Sequence, residues 1–293
     1  MIIRPRQFSE AWIGGALALS YLVFSAVFWA YPFVWLMILS VTKWRFFDTP
    51  TFVGVHNFLF VLADPEFWRG IGNVMRFFVI FFPIVMAGSL AFALGLRHIG
   101  RGKTFIALSF LLANVSSGVA FSLVFKKIFS STGPLNTFLF DHLGIRLAWM
   151  SDPNLAMLAI ALVVAWKFIG YYGLILYSGL VTIPREIADA ALLDNTPPWK
   201  RLMFITLPMV NAQVMIVLIF TILVSFAIFT EPYLITGGGP EDSTSMPQMI
   251  IYETAFRRLQ PSHAAMMSIV LSAISFALVK AARWAFEREV KLA

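Results

Sequence analysis

The sequence predicts an all-α polytopic membrane protein with six transmembrane helices. Three observations predict it. Hydrophobic residues make up 59% of the 293 positions and charged residues only 13%, a balance foreign to ordinary soluble domains. Apolar runs long enough to cross a hydrocarbon core of roughly 30 Å recur along the chain. Between two of these runs lies one conspicuous polar segment, residues 184–208, with an internal break. The thirty Phe and nine Trp suit a lipid-facing surface with interfacial anchors.

The spans are placed at residues 12–40, 71–96, 104–125, 155–178, 209–234 and 264–283, within one transmembrane domain covering 1–293. The first follows Arg4 and Arg6, is too long for a signal-peptide core, and is read as retained. Lys and Arg set the orientation. With the N-terminus inside, the inner segments hold Arg4, Arg6, Arg97, Arg101, Lys103, Arg185, Lys200, Arg201, Lys280, Arg283, Arg288 and Lys291. These outnumber Lys43, Arg45, Arg69, Lys126, Lys127, Arg146, Arg257 and Arg258 outside. Both termini and segment 184–208 are therefore expected in the cytoplasm. The net charge of +7 is scattered over short loops, so it reads as membrane orientation rather than nucleic-acid binding.

Segment 184–208 reads as two short helices. Pro184 opens the first, where a missing N–H costs nothing. Glu186 and Asp189 fall in its opening turns, where the helix dipole favours carboxylates. Ala190 and Ala191 are small enough for another surface to approach closely. Asp194 and Asn195 end the helix, Asn tolerating a left-handed backbone. Thr196 and Pro197 are the expected N-cap and N1 of the second helix, which leads through Ile205, Leu207 and Pro208 into the fifth span.

This shelf resembles the EAA loop of permease subunits in bacterial ABC importers, E-A-A-three residues-G followed about nine residues later by I-x-L-P. Asp189-Ala190-Ala191 stands for E-A-A, and Ile205-Thr206-Leu207-Pro208 closes the motif. Asp189 replaces the usual Glu and Asn195 the usual Gly. The resemblance extends to Phe52–Phe58 (FVGVHNF), to Asp64–Trp68 (DPEFW) with Asn73, to Trp149 with Ser151-Asp152-Pro153, and to Thr236–Pro240 (TGGGP). The glycine run is similar to the maltose-type first permease subunit of the carbohydrate-uptake family.

The resemblance implies alternating access in a bacterial inner membrane, for a sugar or sugar derivative delivered by an extracytoplasmic solute-binding protein. It implies a homologous second permease subunit, forming a heterodimer, and two ATPase subunits that grip Glu186, Asp189, Ala190, Ala191, Asp194, Asn195, Leu207 and Pro208. ATP and Mg would be used by those partners, with no cofactor bound by this chain and membrane lipid around it. Substrate-pathway positions carried over are Asn114, Lys167, Tyr171, Thr221 and Ser225. Lys167 is a charge near the middle of the fourth span, which by default marks a pathway or a buried pair. No acid is expected at its depth, Glu231 lying nearer the end of the fifth span, and an unpaired lysine would suit an anionic sugar. Tyr171 shares its helix face. Thr221 and Ser225, four apart, form a polar stripe, unless each simply bonds back to the preceding turn.

Other chemistry finds little support. The absence of cysteine removes disulfides and thiol-ligated metals, and the four histidines lack metal-ligand spacing. Gly102-Lys103-Thr104 matches the end of a phosphate-binding loop, but the glycine required five residues earlier is Arg97, so Lys103 is read as an inner-face anchor. Within transport, alternatives are a non-sugar solute such as glycerol phosphate, or an ATP-independent carrier, which should show inverted repeats and mid-span coupling carboxylates. A lipid-modifying membrane enzyme would need clustered His or acids near an interface.

Overall fold

The computed structural model describes residues 6–286. Arg4, Arg288 and Lys291, used for orientation, lie outside the described residues. In chain order the helices are α1 (Arg6–Ser25) and α2 (Tyr31–Ser40), joined by one π turn, then α3 (His56–Ala63), α4 (Pro65–His98), α5 (Lys103–Val115), α6 (Gly118–Ile128), α7 (Pro134–Leu143) and α8 (Pro153–Thr182). After them come α9 (Arg185–Leu193), α10 (Pro198–Arg201), a π turn, α11 (Leu207–Met209), α12 (Asn211–Ala227), α13 (Thr230–Ile235), α14 (Pro247–Tyr252) and α15 (Pro261–Phe286). The strands among the described residues are β1 (Thr42–Lys43) and β2 (Thr51–Phe52), paired antiparallel.

Four continuous stretches, Trp12–Ser40, α4, α8 and α15, are long and apolar enough to cross a membrane. The count rises to six if two bent pairs are each one span. Those pairs correct two expected boundaries. The third span, placed at 104–125, breaks at Ser116-Ser117, where α5 and α6 meet at 95°. The fifth, placed at 209–234, begins only after a 79° bend at Val210 and its helix stops at Ala227, leaving Leu234 in α13. Hydropathy counts apolar residues and does not see a bend.

The chain divides into two compact units, one running to Asp64 with Ile251–Val270, the other Pro65–Ile250 with the remainder from Leu271. In the first, the FVGVHNF motif closes a hairpin. Asn57 Nδ2 donates to the carbonyls of Ser40 and Thr42, both at 2.8 Å, and Gly54 takes φ +59°. The Trp44 N–H donates to Ser262 Oγ, and the Phe60 and His263 rings stack at 3.8 Å.

In the second unit α8 is the central helix and packs most extensively along α4. Asp152 starts it as an N-cap, accepting from the N–H groups of Asn154 and Leu155. Small residues then let neighbours come close, the usual device where lipid offers no hydrophobic drive between helices. A Cβ at Gly170 would lie 2.8 Å from the carbonyl carbon and oxygen of Phe110 on α5. Ser89 on α4 donates to the Ile169 carbonyl at 3.2 Å. Trp149 of the WMSDP motif meets Phe129 edge-on at 5.1 Å, closing a cluster with Ala159, Val163 and Ile235 at one end of α8. Near the other end Lys103 donates to the Tyr177 hydroxyl at 2.7 Å, so the residue read as an anchor fastens α5 to α8.

Since backbone cannot yield as a flexible side chain would, Gly170→Val should cost about 1–3 kcal/mol through overpacking against α5. Thermal unfolding of the purified chain in detergent should show a lowered midpoint, with Gly100→Val, where nothing lies within 4 Å of the added carbon, close to the parent.

Candidate functional site

Two sets of residues were singled out by sequence, and they fall at two levels of α8. Lys167 sits fourteen residues into the helix, about 21 Å from its start at 1.5 Å per residue. Its Nζ donates to Glu231 Oε1 at 3.1 Å, with the two side chains 15% and 10% exposed. This corrects the expectation that no acid reaches its depth. Two breaks bring Glu231 in. The chain stops being helical at Ile228-Phe229 and restarts as α13. Opposite it, α6 restarts at Gly118 after the sharp turn from α5. A Cβ on Gly118 would stand 3.6 Å from Lys167 Nζ and Thr230 Cγ2 and 3.9 Å from Glu231 Oε1. Glycine thus lets the start of α6 lie against the pair. Lys126, further along α6, donates to the Leu234 carbonyl at 3.0 Å.

Glu231 is the residue that sequence reasoning missed. The available signal was Pro232 near the end of an apolar run, since proline is tolerated in the first turn of a new helix and not in a helix interior.

Tyr171, one turn from Lys167, is half-buried, and its ring lies 6.4 Å from Phe220 on α12. Asn114 is half-buried near the end of α5, one turn beyond Phe110 toward the break. Thr221 and Ser225 are fully buried, and each hydroxyl donates at 2.7 Å to a carbonyl four residues back, Val217 and Thr221 respectively. The stripe expected to face a cavity is therefore satisfied by its own helix and packed inside. The buried Tyr172 hydroxyl lies beside Thr221 without a hydrogen bond of normal geometry.

The shelf follows directly from α8 through Ile183 and Pro184. Pro184 is the N-cap of α9 rather than its first helical residue, and Pro197 and Pro198 take the N-cap and N1 places assigned to Thr196 and Pro197, one residue later than expected. Asn195 adopts φ +49°, the left-handed turn its type foretold. Its N–H reaches the Leu192 carbonyl at 3.0 Å and the Thr196 N–H reaches Ala191 at 3.1 Å. That pair of bonds is a Schellman ending, which answers carbonyls otherwise left open. Glu186, Asp189, Ala190, Asp194, Asn195 and Pro208 are exposed, Leu207 is half-buried, and Ala191 is buried.

At the other end, residues 236–246 form a stapled loop with a cis Gly239–Pro240 bond. Thr244 Oγ1 donates to the Gly239 carbonyl and shares a 2.7 Å bond with Thr236 Oγ1. Asn73 Nδ2 donates to the carbonyls of Asp242 (2.7 Å) and Ser245 (2.9 Å), tying the loop to α4. The Arg69–Asp242 ion pair is solvent-exposed and adds little beside it.

A bundle with a charged pair inside, two interrupted helices around it and a shelf with exposed carboxylates at one end defines a membrane-embedded transport subunit. Comparison with known proteins narrows the class. The chain is 32% identical over 272 residues to the lactose transport system permease of Rhizobium radiobacter, covering 88% of this chain and 90% of that one. It is 29% identical over 259 residues to a multiple sugar-binding transport permease of Streptococcus mutans, with 85% and 87% covered. Over 233 residues it is 29% identical to the sulfoquinovosyl glycerol permease of Agrobacterium fabrum, with 76% and 73% covered. No family model matches. Among solved structures, a bacterial ABC transporter that imports the acidic polysaccharide alginate shares the fold at TM-score 0.80 and 17% identity, covering 98% and 99% of the two chains. The chain belongs to the permease subunits of sugar ABC importers.

Removing one partner of a buried pair strands the other, at about 3–5 kcal/mol, whereas removing both with apolar side chains can be near neutral. Glu231→Gln should therefore lower the unfolding midpoint sharply, and Lys167→Met with Glu231→Met should recover most of it. Double-mutant thermal denaturation in detergent measures the difference.

Proposed function

We propose that this permease forms the translocation pathway for a sugar in a bacterial inner membrane, driven through its shelf by partner ATPase subunits. The observation carrying this reading is the form of the α9 shelf. It continues from the central helix α8, ends in a fixed Schellman turn, and exposes Glu186, Asp189 and Ala190 on one face. That is a stiff handle on a long helix, with small residues for close approach and carboxylates for charge-assisted contacts. The positive-inside bias supports placing it in the cytoplasm, where ATP is.

The proposed assembly has this chain beside a homologous second permease subunit, two ATPase subunits below and a solute-binding protein outside. An apolar groove of about 630 Å³ in the second unit, lined by Phe78, Val214, Leu218 and Ala282, supports a further membrane subunit. The relative that imports alginate has been seen with an oligosaccharide-bound periplasmic protein, which supports the last partner. In this reading the chain is no enzyme and holds no cofactor, and ATP and Mg act on the ATPases. The pathway residues are Asn114, Tyr171 and Lys167, with Lys167 available to cargo only when its bond to Glu231 opens. Since Glu231 already balances its charge, an anionic cargo is not needed to explain the lysine. A neutral sugar fits as well as a sulfonated one, and a ligand screen on the cognate binding protein decides between them.

Ala190→Asp places a third charged group on the exposed face without disturbing buried contacts. We expect co-purification of the ATPase subunits to fall at least tenfold while the permease keeps its helical circular dichroism. Full retention of the ATPases would reject the shelf as their handle.

A further inference from the structure

The shelf has a second face that its role as a handle leaves unused. On α9, Ile187 and Ala191 are one turn apart and turn away from the exposed acids, toward the last turns of α4. Between them and α10 runs a groove of about 590 Å³, with Leu94, Ile187 and Ile205 among its apolar lining and Arg97 and Arg201 on its walls. Among the described residues no carboxylate lines it and neither arginine has an acidic partner. Among the described residues no acceptor meets Arg201 Nε, which is sealed from solvent. The half-buried Arg201 guanidinium, with no carboxylate beside it, favours an anion that its terminal nitrogens can hold bidentately.

We propose that this groove binds the phosphate of an anionic phospholipid, with Arg201 and Arg97 as donors and the apolar lining against the glycerol and upper acyl chain. Three features favour a lipid over a soluble anion or a protein carboxylate. The walls are span ends, Arg97 closing α4 and Ile183 following α8, so the groove lies at headgroup depth. Trp199, more than half exposed, stands at its rim as an interfacial aromatic. The acidic face offered to protein partners points the other way along α9. Basic pockets between helices on the cytoplasmic side are the general form of such sites. A bound lipid would wedge the handle against α4, so that its stiffness depends on the membrane. The inference rests on the proposed function only in setting the shelf at the membrane surface.

Native mass spectrometry of the full chain in detergent tests it, titrated with phosphatidylglycerol, phosphatidylcholine or inorganic phosphate. We expect phosphatidylglycerol adducts to survive at least fivefold better than phosphatidylcholine adducts and inorganic phosphate to give none. Arg201→Gln and, at the more exposed wall, Arg97→Gln should each cut phosphatidylglycerol retention at least threefold. Lys280→Gln, which removes the same charge elsewhere, should not. Ala190→Asp should leave retention unchanged, which separates this site from the ATPase contact. Equal retention of the two lipids, binding of inorganic phosphate, or an equal loss in Lys280→Gln would overturn the proposal.

Discussion

A lysine near the middle of a thirty-residue apolar helix is costly unless something answers it, and here Glu231 does. Much of the second unit is arranged so that it can. The break at Ser116-Ser117 turns α6 across the bundle, and the break at Ile228-Phe229 brings α13 back to meet it. Gly118 leaves room for both charges. A straight α12 would carry Glu231 away from Lys167, and a straight α5–α6 would not set Gly118 against the pair. The two interruptions and the ion pair therefore explain one another. Broken backbone at membrane depth is tolerated where it is enclosed by protein or lines a pathway.

Below this pair α8 runs uninterrupted for fifteen residues to Thr182 and passes through Pro184 into the shelf. Glycine-mediated approach of α5 and the long contact with α4 hold that stretch as one body. Under the proposed function, a push on α9 is thus delivered to Lys167 and Glu231 by a single stiff element. Interrupted helices at the far end give the motion a place to be absorbed. The shelf itself divides its labour by face, Glu186, Asp189, Ala190 and the exposed Leu193 outward, Ile187 and Ala191 inward, from nothing more than helical spacing.

Much of this was legible in the sequence. Composition and run length identify a membrane bundle, and Asn195 announces the left-handed turn because few other residues accept it. Asp152 and Asn57 sit in motifs whose structural work, capping α8 and closing the hairpin, is plain once seen. What was not legible depends on bends. Two spans drawn as straight rods are kinked, and the helix of the fifth stops at Ala227, short of Glu231. Sequence spacing puts Glu231 nearer the end of the fifth span, whereas it lies beside Lys167. For Thr221 and Ser225 spacing leaves open a pathway stripe or bonds to the preceding turn, and their hydroxyls do bond to the Val217 and Thr221 carbonyls. A polar stripe in sequence cannot say whether it faces a neighbour, a cavity or its own backbone, since the helix can satisfy hydroxyls by itself.

Solute flux in reconstituted vesicles probes the account at its root. Proteoliposomes holding the permease pair, the ATPases and a loaded binding protein should accumulate sugar against its gradient only while ATP is hydrolysed. Vesicles with the permease pair alone should stay tight to the same sugar. If the sugar equilibrates through the membrane subunits without nucleotide or ATPase, the shelf is no handle and the account fails.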